Sequence, residues 1–178
     1  MEMQIKSFSI TNISLIGFMG SGKTSTGKIL AGRLNFLFID LDNIVELSLN
    51  MPISDIFEKH GEEYFRNTET NSIKKIYVNK NCVFACGGGV IVRHENMEII
   101  KKNSTVIFLH VSPAIAFERL KNENNRPLLM KAPNRLNVIT ELIEKRDFLY
   151  RNTCDFTVDT DFKNPEEAAD EIFQRLKE

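Results

Sequence analysis

A chain of 178 residues, 42% hydrophobic and 26% charged, is long enough for one packed core and too short for two ordinary domains. Its formal net charge of −1 argues against binding nucleic acid through a broad basic surface, because that affinity comes from neutralising phosphates. No apolar run approaches the roughly 20 residues of a membrane-spanning helix, and MEMQIKSFSI lacks the basic-then-apolar layout of an export signal, so a cytoplasmic protein is expected.

The first predicted strand, NISLIGF, leads into GFMGSGKT, Gly17 to Thr24, which opens the helical segment KTSTGKILAGRL. This is G-x-x-x-x-G-K-[ST] in the strand, loop and helix order that gives the pattern its meaning. Glycines let successive backbone N–H groups turn inward around phosphate oxygens, and the helix N-terminus adds positive potential. Lys23 can then reach the β- and γ-phosphates of a nucleotide, and Thr24 offers a hydroxyl to Mg²⁺. The motif alone does not separate a kinase from a GTPase, an ATPase or a passive sensor. The sequence has neither the N/TKxD segment of guanine recognition nor the apolar run ending in Asp-Glu of motor ATPases.

The second strand, in FLFIDLDN, ends with Asp40 and Asp42, two apart and so expected on one face, at the strand end where ligands of parallel sheets bind. Either both carboxylates work, one assisting Mg²⁺ and the other orienting or deprotonating a hydroxyl, or Asp42 caps the helix LDNIVEL. The helical segment YFRNTETNSIKKIYV puts Arg66, Glu69 and Ile73 on one side, so a face apolar at one end turns ionic at the other. Arg66 there is either salt-bridged to Glu69 or paired with an anionic ligand.

A third strand, CVFAC, runs into ACGGGVI, where three consecutive glycines mark a turn or a close approach of backbone. Cys82 and Cys86 would stand about 13 Å apart along that strand, beyond disulfide reach, and no CxxC pair suggests zinc. All three cysteines read as small apolar residues. After the fourth strand, TVIFLHV, Ser112 and Pro113 read as an N-cap and first helical position. KNENNRPLLMKAPNR, residues 121–135, is a polar basic loop, either a functional lid or a connection. The helix from Arg135 carries an inward stripe of Ile139, Leu142, Ile143, Leu149 and Tyr150, interrupted by Arg146. DFTVD is the last strand, and Asn164, Pro165 and Glu167 form a capping-box start to the final helix. Strands alternating with helices, and apolar on successive residues, imply a three-layer α/β/α sandwich around a five-stranded parallel sheet.

In order, GFMGSGKT, Asp40 to Asp42, Phe65 with Arg66, Gly87 to Gly89, RPLL at Arg126 to Leu129, Arg146 with Tyr150, and Asn164 with Pro165 resemble the shikimate kinase family along nearly the whole chain. The resemblance implies one P-loop kinase domain over residues 1–178, with the P-loop NTPase fold, a shikimate-binding helical region at about 42–70 and a mobile lid at about 121–135. The implied reaction transfers the γ-phosphate of ATP, with Mg²⁺, to the 3-hydroxyl of shikimate. Gly20, Ser21, Gly22, Lys23, Thr24 and Ser25 would hold the phosphates, Arg119, Asn164 and Pro165 the adenine side, and Thr24 and Asp40 the metal. Arg66 and Arg146 would clamp the substrate carboxylate, and Asp42 would bind ring hydroxyls as base or positioning group. Phe57 and Phe65 would wall the pocket. Gly87, Gly88 and Gly89 would line the ring where any Cβ would intrude. Lys23, Asp42 and Arg126 would carry the catalysis, Arg126 binding nucleotide and arriving with the lid. A small-molecule partner, no nucleic acid or membrane, and a monomer are expected. The alternatives are another small P-loop kinase, acting on gluconate or a nucleoside monophosphate, or a catalytically silent nucleotide-binding protein.

Overall fold

Every apolar run singled out in the sequence forms a strand, and the strands pair through parallel ladders into one sheet. In the computed structural model, which describes residues 11–123, Leu129 and 134–178, the order of elements begins β1 (Asn12–Ile16), α1 (Lys23–Leu34), β2 (Leu37–Asp40), α2 (Leu41–Leu49) and α3 (Ile53–Ile76). There follow β3 (Cys82–Ala85), a 3-10 turn (Val90–Val92), α4 (His94–Asn103), β4 (Thr105–His110), α5 (Pro113–Leu120), α6 (Arg135–Thr153), β5 (Phe156–Asp159) and α7 (Pro165–Arg175). The strand order is β2-β3-β1-β4-β5, with all neighbours parallel.

The unbroken apolar runs follow from burial on both faces. Val83, Ile107 and Leu109 enter a core closed by Leu30 and Ala31 of α1 and Ala168, Ala169 and Ile172 of α7. Their neighbours Cys82, Phe84, Val106 and Phe108 enter the opposite core, closed by Ile73 of α3, Met97 and Ile100 of α4 and Tyr150 of α6. The edge strands are less covered: β2 has no fully buried residue, and Leu37 is 62% exposed.

The predicted helix starts at Ser112 and Asn164 are in place. Ser112 Oγ accepts from Ile115 N, and Asn164 and Glu167 exchange side-chain to backbone bonds of 2.9 and 2.8 Å. Two local readings need correction. β2 stops at Asp40, so Asp42 lies in the first turn of α2 and not on a strand, and the cap is Asp40, whose Oδ1 accepts from Asp42 N at 3.1 Å. In α6 the inward stripe is Ile139, Ile143, Arg146, Tyr150 and Thr153, whereas Leu149 is 39% exposed, one position off the heptad that faces the sheet.

α3 is broken at Gly61, whose φ of 80° and ψ of 171° are open to glycine and strained for other residues. The half before Gly61 packs with α2 through Val45 and Ile56, flanked by Leu49, Met51, Ile53 and Phe57, and Phe65 from the second half joins the same cluster. That second half docks on the sheet through Ile73. Pro52 precedes α3 and has no capping side chain, so Glu46 of α2 accepts from Ile53 N at 2.9 Å instead. A further cluster joins Phe18, Val111, Ala116, Leu120 and Leu129 to Ile139 and Ile143 of α6. Residues 124–128 and 130–133, which include Arg126 and most of the expected lid, lie outside the described residues. No described helix is long and apolar enough to cross a membrane.

Candidate active site

The nucleotide side of the site is built from backbone. Gly17, Gly20 and Gly22 have φ of 145°, 80° and 88°, and Gly22 is the left-handed N-cap of α1. A Cβ on Gly17 would run into the Leu109 carbonyl, so no larger residue fits the start of the loop. Lys23 Nζ donates to Gly17 O and Phe18 O at 2.8 Å each, folding the ammonium back across the loop it serves. Thr24 Oγ1 donates to Asp40 Oδ2 at 2.8 Å, which sets a hydroxyl beside a carboxylate at the mouth of the loop.

A cavity of about 300 Å³ opens over this loop, lined among others by Gly20, Gly22, Lys23, Thr24, Ser25, Asp40, Asp42 and Arg119. Ser21 is fully buried, its N–H bonded to Phe18 O and its Oγ 3.4 Å from Lys23 Nζ, so it stands behind the loop. Arg119 donates to Gly20 O at 3.0 Å and to Thr160 O, and so bridges the loop to the β5–α7 connection. Asn164 and Pro165 line a smaller cavity beside it with Gly20, Gly22, Ser25 and Arg119.

The acceptor side is built from side chains that four separate elements deliver to one cavity of about 330 Å³. α2 brings Asp42, α3 brings Phe57, Phe65, Arg66 and Glu69, the turn after β3 brings Gly87 to Gly89, and α6 brings Arg146. Asp40, Asp42, Thr24 and Gly88 line this cavity and the phosphate cavity alike, so the two join. The Phe57 and Phe65 rings pack at 4.9 Å between centroids. Both arginines are buried, Arg66 at 6% and Arg146 at 8% exposure. Arg66 is paired with Glu69 at 3.0 Å and with Glu62 at 3.2 Å, and Arg146 donates to Gly88 O at 3.3 Å. Tyr150 OH donates to the same carbonyl at 2.5 Å, and burial pushes the Tyr150 hydroxyl well above its usual range.

The triple glycine lines this cavity and also makes room for protein groups that the sequence reading did not name there. A Cβ on Gly87 would stand 2.7 Å from Asp42 Oδ1 and 3.0 Å from Glu69 Oε1, and one on Gly89 would stand 2.7 Å from Arg66 Cζ. A Cβ on Gly88 would press on the phosphate loop, 3.3 Å from Met19 N. At Gly87 and Gly89 the missing side chains leave room for Asp42, Glu69 and Arg66.

Glu69 is the pocket residue that the sequence reading named only as a partner for Arg66. It is 1% exposed, Oε2 accepts from Arg66, and Oε1 has no partner among the described residues. Burial pushes its carboxyl up to about 7; Arg66 opposes that shift and the Asp42 charge adds to it. The Phe-Arg-x-x-Glu spacing predicts the ion pair, but only the three-dimensional structure brings Asp42 and Gly87 up against its free oxygen. Met19, Asn43, Glu46, Pro52, Ile53 and Ser54 also line this cavity and carry no sequence signal of their own.

Comparison with known proteins decides the family. The shikimate kinase family model matches residues 19–177. The chain belongs to the shikimate kinase family. A shikimate kinase of Thermodesulfovibrio yellowstonii is 47% identical over 166 residues, covering 93% of this chain and 95% of that one. Among solved structures, the shikimate kinase from Acinetobacter baumannii in complex with shikimate superposes with a TM-score of 0.92 at 34% identity, covering 96% and 94% of the two chains. The Aquifex aeolicus shikimate kinase gives a TM-score of 0.81 at 36% identity, with 93% and 96% covered. The five-stranded parallel sheet and its P-loop are thus those of the shikimate kinase fold.

Proposed function

We propose that this chain transfers the γ-phosphoryl group of ATP to the 3-hydroxyl of shikimate. The observation that carries the reading is the convergence of two buried guanidinium groups, Arg66 and Arg146, on the Gly88–Gly89 backbone of a cavity that opens onto the P-loop. Two buried cations on one wall suit a small carboxylate, bound with charge-assisted and bidentate geometry. Asp42, which lines that cavity and the phosphate cavity alike, would orient the attacking hydroxyl and take up its proton.

On the donor side, Gly20, Gly22, Lys23, Thr24 and Ser25 would cradle the phosphates, and Arg119, Asn164 and Pro165 would hold the adenine side. Lys23 lies across the loop, and phosphate oxygens would take the place of the Gly17 and Phe18 carbonyls as acceptors of its ammonium. The adjacent Thr24 hydroxyl and Asp40 carboxylate are two hard oxygen donors, a set that fits Mg²⁺, which when bound neutralises phosphate charge. Arg126 takes its role on the transferring phosphoryl group from the RPLL motif. We read the enzyme as a cytoplasmic monomer, which sedimentation at the mass of a single chain tests.

The assay supplies ATP and Mg²⁺ with shikimate, gluconate or a nucleoside monophosphate and follows ADP release. Turnover with shikimate alone is expected. Turnover with gluconate or a nucleotide and none with shikimate replaces the reading with its nearest enzyme rival, and nucleotide binding without transfer to any acceptor replaces it with a silent binder.

A further inference from the structure

The segment after the triple glycine grips α3 at two points, and only one of them belongs to the substrate pocket. At the first, Gly89 makes room for the Arg66 guanidinium, which a Cβ there would meet at 2.7 Å. At the second, four residues on, Arg93 spreads its fork over the same helix. Its NH1 donates to Asn67 Oδ1 at 2.8 Å and to Thr70 Oγ1 at 3.4 Å, and its NH2 pairs with Glu63 Oε1 at 2.6 Å. Glu63, Asn67 and Thr70 are spaced i, i+4 and i+7 on one face of α3 and bracket Arg66 in sequence. Thr70 Oγ1 donates in turn to the Arg66 carbonyl at 3.0 Å.

The link between the two grips is short and tied down. Val90 N and Val92 N bond back to Gly87 O and Gly89 O, and the buried Asn96 side chain donates to Val90 O. Arg93 is also near enough to act on the buried Glu69 carboxyl, which its charge favours in the ionised form.

We infer that Arg93 is a positioning residue for substrate binding, a strut that sets how α3 presents Arg66 to the cavity without touching substrate itself. The inference rests on the proposed role of Arg66 in holding the shikimate carboxylate. An exposed ion pair to Glu63 would by itself contribute little. What matters is the fixed planar fork, which engages two further α3 side chains and so resists rotation of the helix about its axis. A small misplacement of a clamping group is enough to weaken a bound anion.

The test uses the full chain. Wild-type protein that does not phosphorylate shikimate overturns the parent reading, whatever Arg93 does. With wild-type activity in hand, Arg93→Ala is expected to weaken shikimate binding, measured by calorimetry in the presence of ADP, by about five- to tenfold, with ADP affinity held within about twofold. Arg93→Lys keeps the charge but not the fork and should recover only part of the loss. Unchanged shikimate affinity in Arg93→Ala, an equal loss of ADP affinity, or full recovery by lysine overturns the strut. Should Arg93→Ala fail to fold, Asn67→Ala removes one acceptor from an exposed position. It should raise the shikimate dissociation constant about two- to threefold, and no rise refutes the inference.

Discussion

The two halves of this site are made of different material. The phosphate half centres on one continuous stretch, Gly17 to Ser25, whose shape is set by glycines at positive φ and whose side-chain donors, Lys23 and Thr24, are part of the same run. The acceptor half is a meeting of side chains from α2, α3, α6 and the turn after β3, drawn from positions as far apart as Asp42 and Arg146. The first half depends on local geometry, the second on how the sheet and helices pack. Gly88 sits where they touch, its carbonyl held by Arg146 and Tyr150 and its Cα backed against Met19 of the phosphate loop.

The sharpest break between the halves should come from Lys23→Ala. On the proposed role of Lys23 at the transferring group, its removal is expected to slow single-turnover phosphoryl transfer by about 10²–10³-fold, with the shikimate dissociation constant near wild type. A comparable loss of shikimate affinity would mean that the halves are not separable. Next in size, Arg146→Ala should weaken shikimate binding by about 10²-fold while leaving ADP binding intact, because a buried anion loses one of two cationic partners. Unchanged shikimate affinity would remove Arg146 from the clamp.

The glycines allow a finer cut through the boundary. Gly89→Ala displaces the Arg66 guanidinium and should raise the KM for shikimate by about tenfold. Gly88→Ala pushes on Met19 of the phosphate loop and should raise the KM for ATP instead. The reverse pattern would show that these backbones face the other way in the working enzyme.

The smallest effect is a pH dependence confined to the acceptor half. A substrate carboxylate arriving beside Glu69 disfavours the charged form of a group already raised to about 7 by burial, with Arg66, Arg93 and Asp42 as its charged neighbours. Binding therefore takes up a proton. Shikimate affinity should fall as pH rises through about 7, by at most about tenfold for one unit of further displacement, while ADP affinity stays flat. Glu69→Gln should flatten the shikimate curve, and a persisting slope in that variant would assign the dependence to another group.

What was legible in the sequence follows the same division. The strands, the phosphate loop and the caps at Ser112 and Asn164 depend on residues within a few positions of one another, and the structure has them where local patterns put them. The roles of Asp40 and Asp42 were blurred because strand and helix abut with no intervening turn, so the period changes between them. Leu149 was assigned inward from an apolar character that the true heptad does not use. Glu69 was visible as half of an ion pair. Its free oxygen was not, because that depends on Asp42 and Gly87, which reach it only through packing. For the glycines, the run announced that room was needed and the resemblance named a substrate ring, while the neighbouring Asp42, Glu69 and Arg66 come into view only with the packing.

The break at Gly61 makes α3 two levers joined end to end. Phe57 rides on the lever that packs with α2, and Arg66 rides on the one fixed to the sheet, with the Phe57–Phe65 ring contact as the bearing between them. A tilt of the outer lever would re-aim Phe57 and leave Phe65 and the cation in place. A ligand that touches both Phe57 and Arg66 would act as a pin across the joint.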